Sequence, residues 1–563
     1  MIFFFMRFID RLKANRLYQF LLLWFLVGIV YLPSWKAGFV SDFLGMFGDI
    51  DRVSFADFIN RSEATVKSFY QVTQLQMYVF IKVFGTHFIP WFLITTALHA
   101  LNGVVVFTFF KRLFKDFQLR HSELIAFCGV LLFLLNPNIT EVTVWKGGYH
   151  YLTGILIQFL ILIWCQRYCL GGKKQLAVAA FILFLISLFT LEIFYVTPAL
   201  TFMLILGYRW KNLIDKNAFQ RALRYFFLPQ VLLFICHLLL FRLLYGTWVA
   251  HYGTTTTFEL NLHEILPRIG KYLAYIIIMA GHIPFNVRGG IYDFLAQMSV
   301  AWFLALLLPL VLVILLVRFK RLSSAAQLAT FLLAAVIFCL ILVIPIYFDD
   351  LFSLYNSRRC YQPGLFIYML ISLFIFSIFS NKKVAVSIFS AYLLLCLALT
   401  VSMVLYWRTA AKVQYGILRT FNFQNADPVI LLNVPTYYKD IRIMPVNADN
   451  EFNTQLKIFG YVPIKGQLYE ASSYNMQHLW DGAHVTVLDS MTLKITLNQW
   501  GTWWIYNYVG AGDYETDLYK VKMTDPGHEY ILTLKSRPEN MAILFSQDIY
   551  WRKVDMNKRG EQW

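Results

Sequence analysis

Apolar runs of about 15–22 residues recur between Leu17 and Leu405, and no other feature constrains the fold of this chain as strongly. In lipid, a run of that length satisfies its backbone hydrogen bonds within itself only as a helix. The recurrence predicts a polytopic α-helical membrane protein. Composition agrees: 59% of residues are hydrophobic and 14% charged, outside the range of ordinary soluble domains. Many Trp and Tyr residues flank the runs, where their amphipathic rings anchor to the interface. The net charge of +17 sits largely in short loops between runs. It reads as an orientation signal and not as a surface for nucleic acid.

The predicted spans are 17–32, 89–110, 123–136, 151–169, two within 176–208, then 225–245, 298–317, 325–346, 363–380 and 384–406. That makes about eleven. The stretch Leu176 to Tyr208 is about 33 residues, too long for one ordinary span, and has Glu192 at its middle. Burying that carboxylate at mid-bilayer is costly, so a hairpin of two short helices with Glu192 at its outer tip is expected. The hairpin also keeps Arg209, Lys211, Arg318, Lys320, Arg321, Lys382 and Lys383 on the cytoplasmic side. Within the long first loop, 33–88, Ser54 to Phe84 has the mixed periodicity of interfacial helices. Gly246 to Gln297 is outside, and its apolar piece Tyr272 to Ala280 is too short to cross.

From about Trp407 the pattern changes. Val429 to Leu432, His484 to Leu488, Leu493 to Leu497 and Tyr530 to Leu534 are short alternating or β-branched runs bounded by turn residues. The expectation is a transmembrane domain over 1–406 and a β-rich domain over 407–563. An odd number of spans from a cytoplasmic N-terminus puts that domain outside. Arg7, Arg11, Lys13 and Arg16 precede the first run with no cleavage site behind it, which reads as a retained anchor. The seven cysteines all lie in or beside spans, so neither a disulfide framework nor a Cys/His metal spacing is present.

With this topology the outer face collects Asp42, Asp49 and Asp51; Glu141, Lys146 and His150; Glu192; Asp349 and Asp350; and Arg358 and Arg359. Two adjacent arginines on the outer side run against the positive-inside trend. They either pair with Asp349 and Asp350 or clamp a phosphate, a role suited to the planar guanidinium. Asp42 is either a solvated loop acid or a general base. His99 and Asn102 share a helix face, in an interhelical hydrogen bond or as site support. Nucleophile motifs, phosphate-binding glycine loops and dinucleotide fingerprints are absent from the sequence.

Taken together these residues resemble the GT-C superfamily of membrane glycosyltransferases, nearest to protein O-mannosyltransferases and their tetratricopeptide-repeat relatives. That branch has an acidic pair in the first outer loop; here Ser41-Asp42-Phe43 matches the first acid only. Its H-x-x-N pattern is matched by His99 to Asn102. Its segment after the third span is matched by Asn136-Pro137-Asn138-Ile139-Thr140-Glu141-Val142-Thr143-Val144-Trp145-Lys146-Gly147-Gly148-Tyr149-His150-Tyr151-Leu152, with Asn136 for a His and Tyr149 for an Arg. Thr190-Leu191-Glu192 is a loose match in the next hairpin, and Ser357-Arg358-Arg359-Cys360-Tyr361-Gln362-Pro363 matches a segment before a late span. The helical repeats are absent, and the β-rich domain stands in their place.

The resemblance implies an inverting glycosyltransferase in the inner membrane of a bacterium, with its C-terminal domain in the periplasm. It would move a sugar from a polyprenyl-phosphate-linked donor to a glycan, lipid or protein acceptor. Asp42 would be the general base, and Glu192, the other catalytic residue, would orient the acceptor or the base. Arg358 and Arg359 would bind the donor phosphate. His99, Asn102, Glu141, Lys146, His150 and Tyr361 would bind substrate or support the site. No metal-ligand set is assigned, and a divalent cation is the one cofactor left open. Two other classes stand beside this reading: a transporter or flippase of lipid-linked glycans, and a non-catalytic GT-C-like assembly protein.

Overall fold

The computed structural model describes residues 15–37, 39–40, 47, 50, 53–66, 68–246, 248, 262–283, 285–297, 307, 310–346, 354–439, 441–444, 451–497, 512–525 and 528–560. Two compact units are present: Met1–Leu32 with Phe55–Met403, and Pro33–Ser54 with Val404–Trp563. The helix Lys382–Thr420 contributes residues to both. Asp42, Asp49, Asp51, Asp349 and Asp350 lie outside the described residues.

The first unit is a helical bundle. Among the described residues, eight helices are long and apolar enough to cross a membrane. They include Phe88–Asp116, Lys146–Gly171, Glu192–Trp210 and Ser357–Ile378. Three of the eleven expected spans are not among them. The expected span 123–136 is the helix Ser122–Leu134, which bends by 60° into Pro137–Val144. Proline disfavours a helical conformation in the residue before it. Asn136 is accordingly extended, and its side chain caps the next turn by accepting from the Asn138 N–H at 3.0 Å. The first arm of the expected hairpin, Lys174–Leu188, is only 15 residues long. Most of 298–309 lies outside the described residues.

The hairpin itself is present. Lys174–Leu188 ends at Phe189, Leu191 is extended, and a 3₁₀ turn over Glu192–Val196 leads into Thr197–Trp210. Pro198 sits in the first turn of that helix, where a missing N–H is tolerated. The turn is seated against the helix Tyr149–Gly171 at Gly154, where an added Cβ would lie 1.9 Å from the Phe194 ring. Within the long first loop, two helices form as expected, Phe55–Val66 and Gln71–Phe84. The segment before Gln297 holds the helices Leu262–Ile277 and Phe285–Ala296, neither of them a candidate span.

The second unit is strand-rich, and all four expected strand runs are strands. A five-stranded antiparallel sheet runs in the order Ala483–Val487, Thr492–Leu497, Glu529–Leu534, Tyr519–Asp525, Tyr514–Glu515. Its alternation is the reason it pairs in one register. Leu493 opposes Leu532 and Val487, and Ile495 opposes Tyr530 and Val485, so all six bury on one face. A second sheet sets Val429–Leu431 parallel to both Ala542–Gln547 and Leu468–Glu470, with Tyr550–Lys553 at its edge. A third holds Val434–Tyr438 between Ile441–Arg442 and Ser473–Met476. Pro33–Ser54 joins this unit through Gln414, whose Nε2 donates to the carbonyl of Phe39 at 3.2 Å.

Candidate functional site

The bend after Leu134 brings Glu141 into the bundle interior, where it is fully buried. A buried carboxylate is tolerated only when it is paired and hydrogen-bonded. The turn at Leu354–Cys360 supplies the partners. The Arg358 backbone N–H donates to Glu141 Oε2 at 2.8 Å, and Arg358 Nη1 donates to Oε1 at 2.5 Å. Ser357 Oγ donates to Oε2 at 3.3 Å. The guanidinium carbon of Arg358 also lies 5.1 Å from the centre of the Trp145 ring, a cation–π contact. That ring folds back over its own turn because Gly147 has no side chain; a Cβ there would lie 2.4 Å from it. Arg359 adds a second positive charge within electrostatic reach of Glu141 and Tyr151.

Lys146 differs from these groups. Its side chain is 1% exposed, and its ammonium has no hydrogen-bond or ion-pair partner among the described residues. Held charged there without a counter-charge, it would cost several kcal/mol, on the order estimated for a broken interior ion pair. His150, four residues on, is half-buried and packs its ring against Tyr151 at 4.6 Å.

His99, Asn102 and Tyr361 meet in one network. His99 Nε2 faces the Leu134 carbonyl at 3.2 Å, so that nitrogen carries the proton. The other, Nδ1, then accepts from the Tyr361 hydroxyl at 2.9 Å. Tyr361 in turn accepts from Asn102 Nδ2 at 3.1 Å, and Asn102 also donates to the Leu152 carbonyl at 2.9 Å. The three side chains tie four helices together, and all are buried. Gln362 continues the layer: its Nε2 donates to Gln158 Oε1, and Gln158 Nε2 donates to Thr197 Oγ1, both at 3.0 Å.

Glu192 is at the break of the hairpin as expected, but it is buried and not on an exposed tip. Tyr70, just before the helix Gln71–Phe84, donates its hydroxyl to the carboxylate. Thr73 Oγ1 donates to the Thr190 carbonyl at 2.9 Å, and the Tyr149 hydroxyl donates to the Thr73 carbonyl at 2.8 Å. The helix after Tyr70 therefore fastens the hairpin turn to the segment that carries Lys146. Among the described residues no group of His, Cys, Asp and Glu is placed to hold a metal ion.

Comparison with protein-family models and with curated proteins finds no match to this chain.

Sequence reasoning missed Ser357, Tyr70, Gln158 and Gln362. The two glutamines carried a usable signal, since a polar side chain inside an apolar run needs a partner there. Tyr70 carried none, because a tyrosine in an interfacial helix is unremarkable.

Proposed function

We propose that this chain is a membrane glycosyltransferase that transfers a sugar, with inversion, from a polyprenyl-phosphate-linked donor at the periplasmic face. The single observation that carries the reading is the amine of Lys146, buried with no hydrogen-bond or ion-pair partner among the described residues, in the segment that also carries Glu141, the partner of Arg358. An uncompensated interior cation favours an anionic occupant. The phosphate of a lipid-borne donor is such an anion, and its tail accounts for a site among helices of membrane length. Arg358 pairs with Glu141, and in this reading Lys146 and Arg359 contact the phosphate.

In this reading the acceptor hydroxyl loses its proton to Asp42, the candidate base on sequence grounds. The acceptor oxygen attacks the anomeric carbon. The bond from that carbon to the phosphate oxygen breaks, and the lipid phosphate leaves with its charge stabilised by Lys146 and Arg359. Glu192, held by Tyr70, orients the acceptor.

The test is sugar transfer by the purified full chain supplied with a mixed pool of polyprenyl-phosphate sugars. Transfer is expected. It should fall by about 10²–10⁴-fold in Asp42→Asn, the usual contribution of a general base. A wild-type protein that transfers no sugar from any member of the pool overturns the enzyme. If vesicles containing it instead move lipid-linked glycan across the bilayer, the transporter reading replaces it.

A further inference from the structure

The basic pocket at the far end of the helix Tyr149–Gly171 has no part in the chemistry above. Arg167 lies 18 residues beyond Tyr149, or about 27 Å along the helix. A cavity of about 320 Å³ opens there, lined by Arg16, Gln19, Lys111, Arg112, Lys115 and Arg167. Phe107 and Ile163 form its apolar wall, and no acid among the described residues lines it. Five cations from three helices distant in sequence converge on one space.

Local neutralisation is incomplete. Lys111 pairs with Glu123 at 2.9 Å, and Arg112 lies 3.9 Å from Asp116. Asp116 is already accepting from the Tyr208 hydroxyl. Arg16, Lys115 and Arg167 have no acidic partner among the described residues. A bias of Lys and Arg toward one side of a membrane explains their presence at these helix ends, but it requires no convergence. Like charges gathered at a concave site repel one another unless an anion lies among them.

The surroundings favour a lipid as its source. Leu17 and Leu21, on the same helix as Arg16, are 61% and 46% exposed, and Leu170, one turn beyond Arg167, is 45% exposed. Apolar side chains turned outward beside a cationic cavity match an acyl chain next to its own head group.

We infer that this pocket is a binding site for the phosphate head group of an anionic membrane lipid, seated between the helices Arg16–Tyr31, Phe88–Asp116 and Tyr149–Gly171. The site lies at the opposite end of the bundle from Glu141 and Lys146.

The test is thermal unfolding of the detergent-purified full chain, followed by tryptophan fluorescence and titrated with dioleoyl phosphatidylglycerol. A saturable rise in Tm is expected. The triple variant Arg16→Gln, Lys115→Gln, Arg167→Gln should need at least ~10-fold more lipid for half the effect, given roughly fivefold per basic residue near a lipid head group. The same number of substitutions at Arg318, Lys320 and Arg321 should leave the titration unchanged. If the triple variant does not fold, Arg167→Gln alone should show a shift of about fivefold. An unchanged titration in the folded pocket variant overturns the site, as does an equal loss in the control variant. Equal stabilisation by dioleoyl phosphatidylcholine removes the anion requirement, and equal stabilisation by inorganic phosphate removes the lipid; either result overturns the assignment.

Discussion

The hydroxyl of Tyr70 lies 2.7 Å from each carboxylate oxygen of Glu192, so a residue of the first long loop holds the acid of the hairpin. One proton is shared between two oxygens of a buried group. Tyr70→Phe removes that donor without changing the packing volume, and leaves the carboxylate less satisfied. The expected cost is about 1–3 kcal/mol, read as a fall in denaturant midpoint of the purified protein. Glu192→Gln in the Tyr70→Phe background should recover part of it, because an amide costs less to leave partly satisfied than a carboxylate. A variant as stable as wild type would mean that Tyr70 does not hold the acid.

Arg358 and Glu141 should behave as one energetic unit. Removing either partner leaves a buried charge, so Arg358→Met and Glu141→Gln should each cost about 3–5 kcal/mol. The double variant should cost less than the sum of the two by about 1–3 kcal/mol. Strict additivity in unfolding measurements on the four proteins would show that the pair does not interact in solution.

Lys146 should show the opposite pattern. Its side chain is buried with no counter-charge among the described residues, so Lys146→Met keeps the stem volume and removes any charge. Stability should stay level or rise, while transfer of sugar falls steeply. Lys146→Arg should keep part of the transfer. A loss of stability in Lys146→Met, measured beside turnover on the same sample, would mark the residue as structural.

The C-terminal unit is expected on the non-cytoplasmic side. The basic clusters Arg209 with Lys211, Arg318 with Lys320 and Arg321, and Lys382 with Lys383 all need to stay inside. A reporter that works only in the cytoplasm, fused after Trp563, should be silent. Activity from that fusion would reverse the orientation and remove the periplasmic site.

Much of the architecture was readable because it depends on local pattern. The hairpin follows from one acid inside a long apolar run, and the strand Thr492–Leu497 follows from its alternation. Asn136-Pro137 was readable as the end of a span, but not as a bend that turns Glu141 inward. The contact of Arg358 with Glu141 was not readable, because the two residues are 217 positions apart; Asp349 and Asp350, the partners weighed from sequence, lie outside the described residues. A contact made by the folding of distant segments leaves no trace in the periodicity of either one. Two of the expected spans differ for a related reason, since hydropathy reports apolar length and is blind to whether a helix is bent or short. Asp42, the acid on which the sequence reading turns, lies outside the described residues.

The contact between Gly154 and Phe194 carries a consequence for how this chain answers random mutagenesis. Position 154 holds no reactive group. Any side chain there would press on the turn that begins at Glu192, two residues before Phe194, and would shift the acid off its tyrosine. In a saturation screen scored by function, position 154 would therefore tolerate as little change as the ionisable residues do. Its intolerance would record a steric limit on how closely a helix and a turn can approach, and only a separate measure of folded protein would tell that limit apart from chemistry.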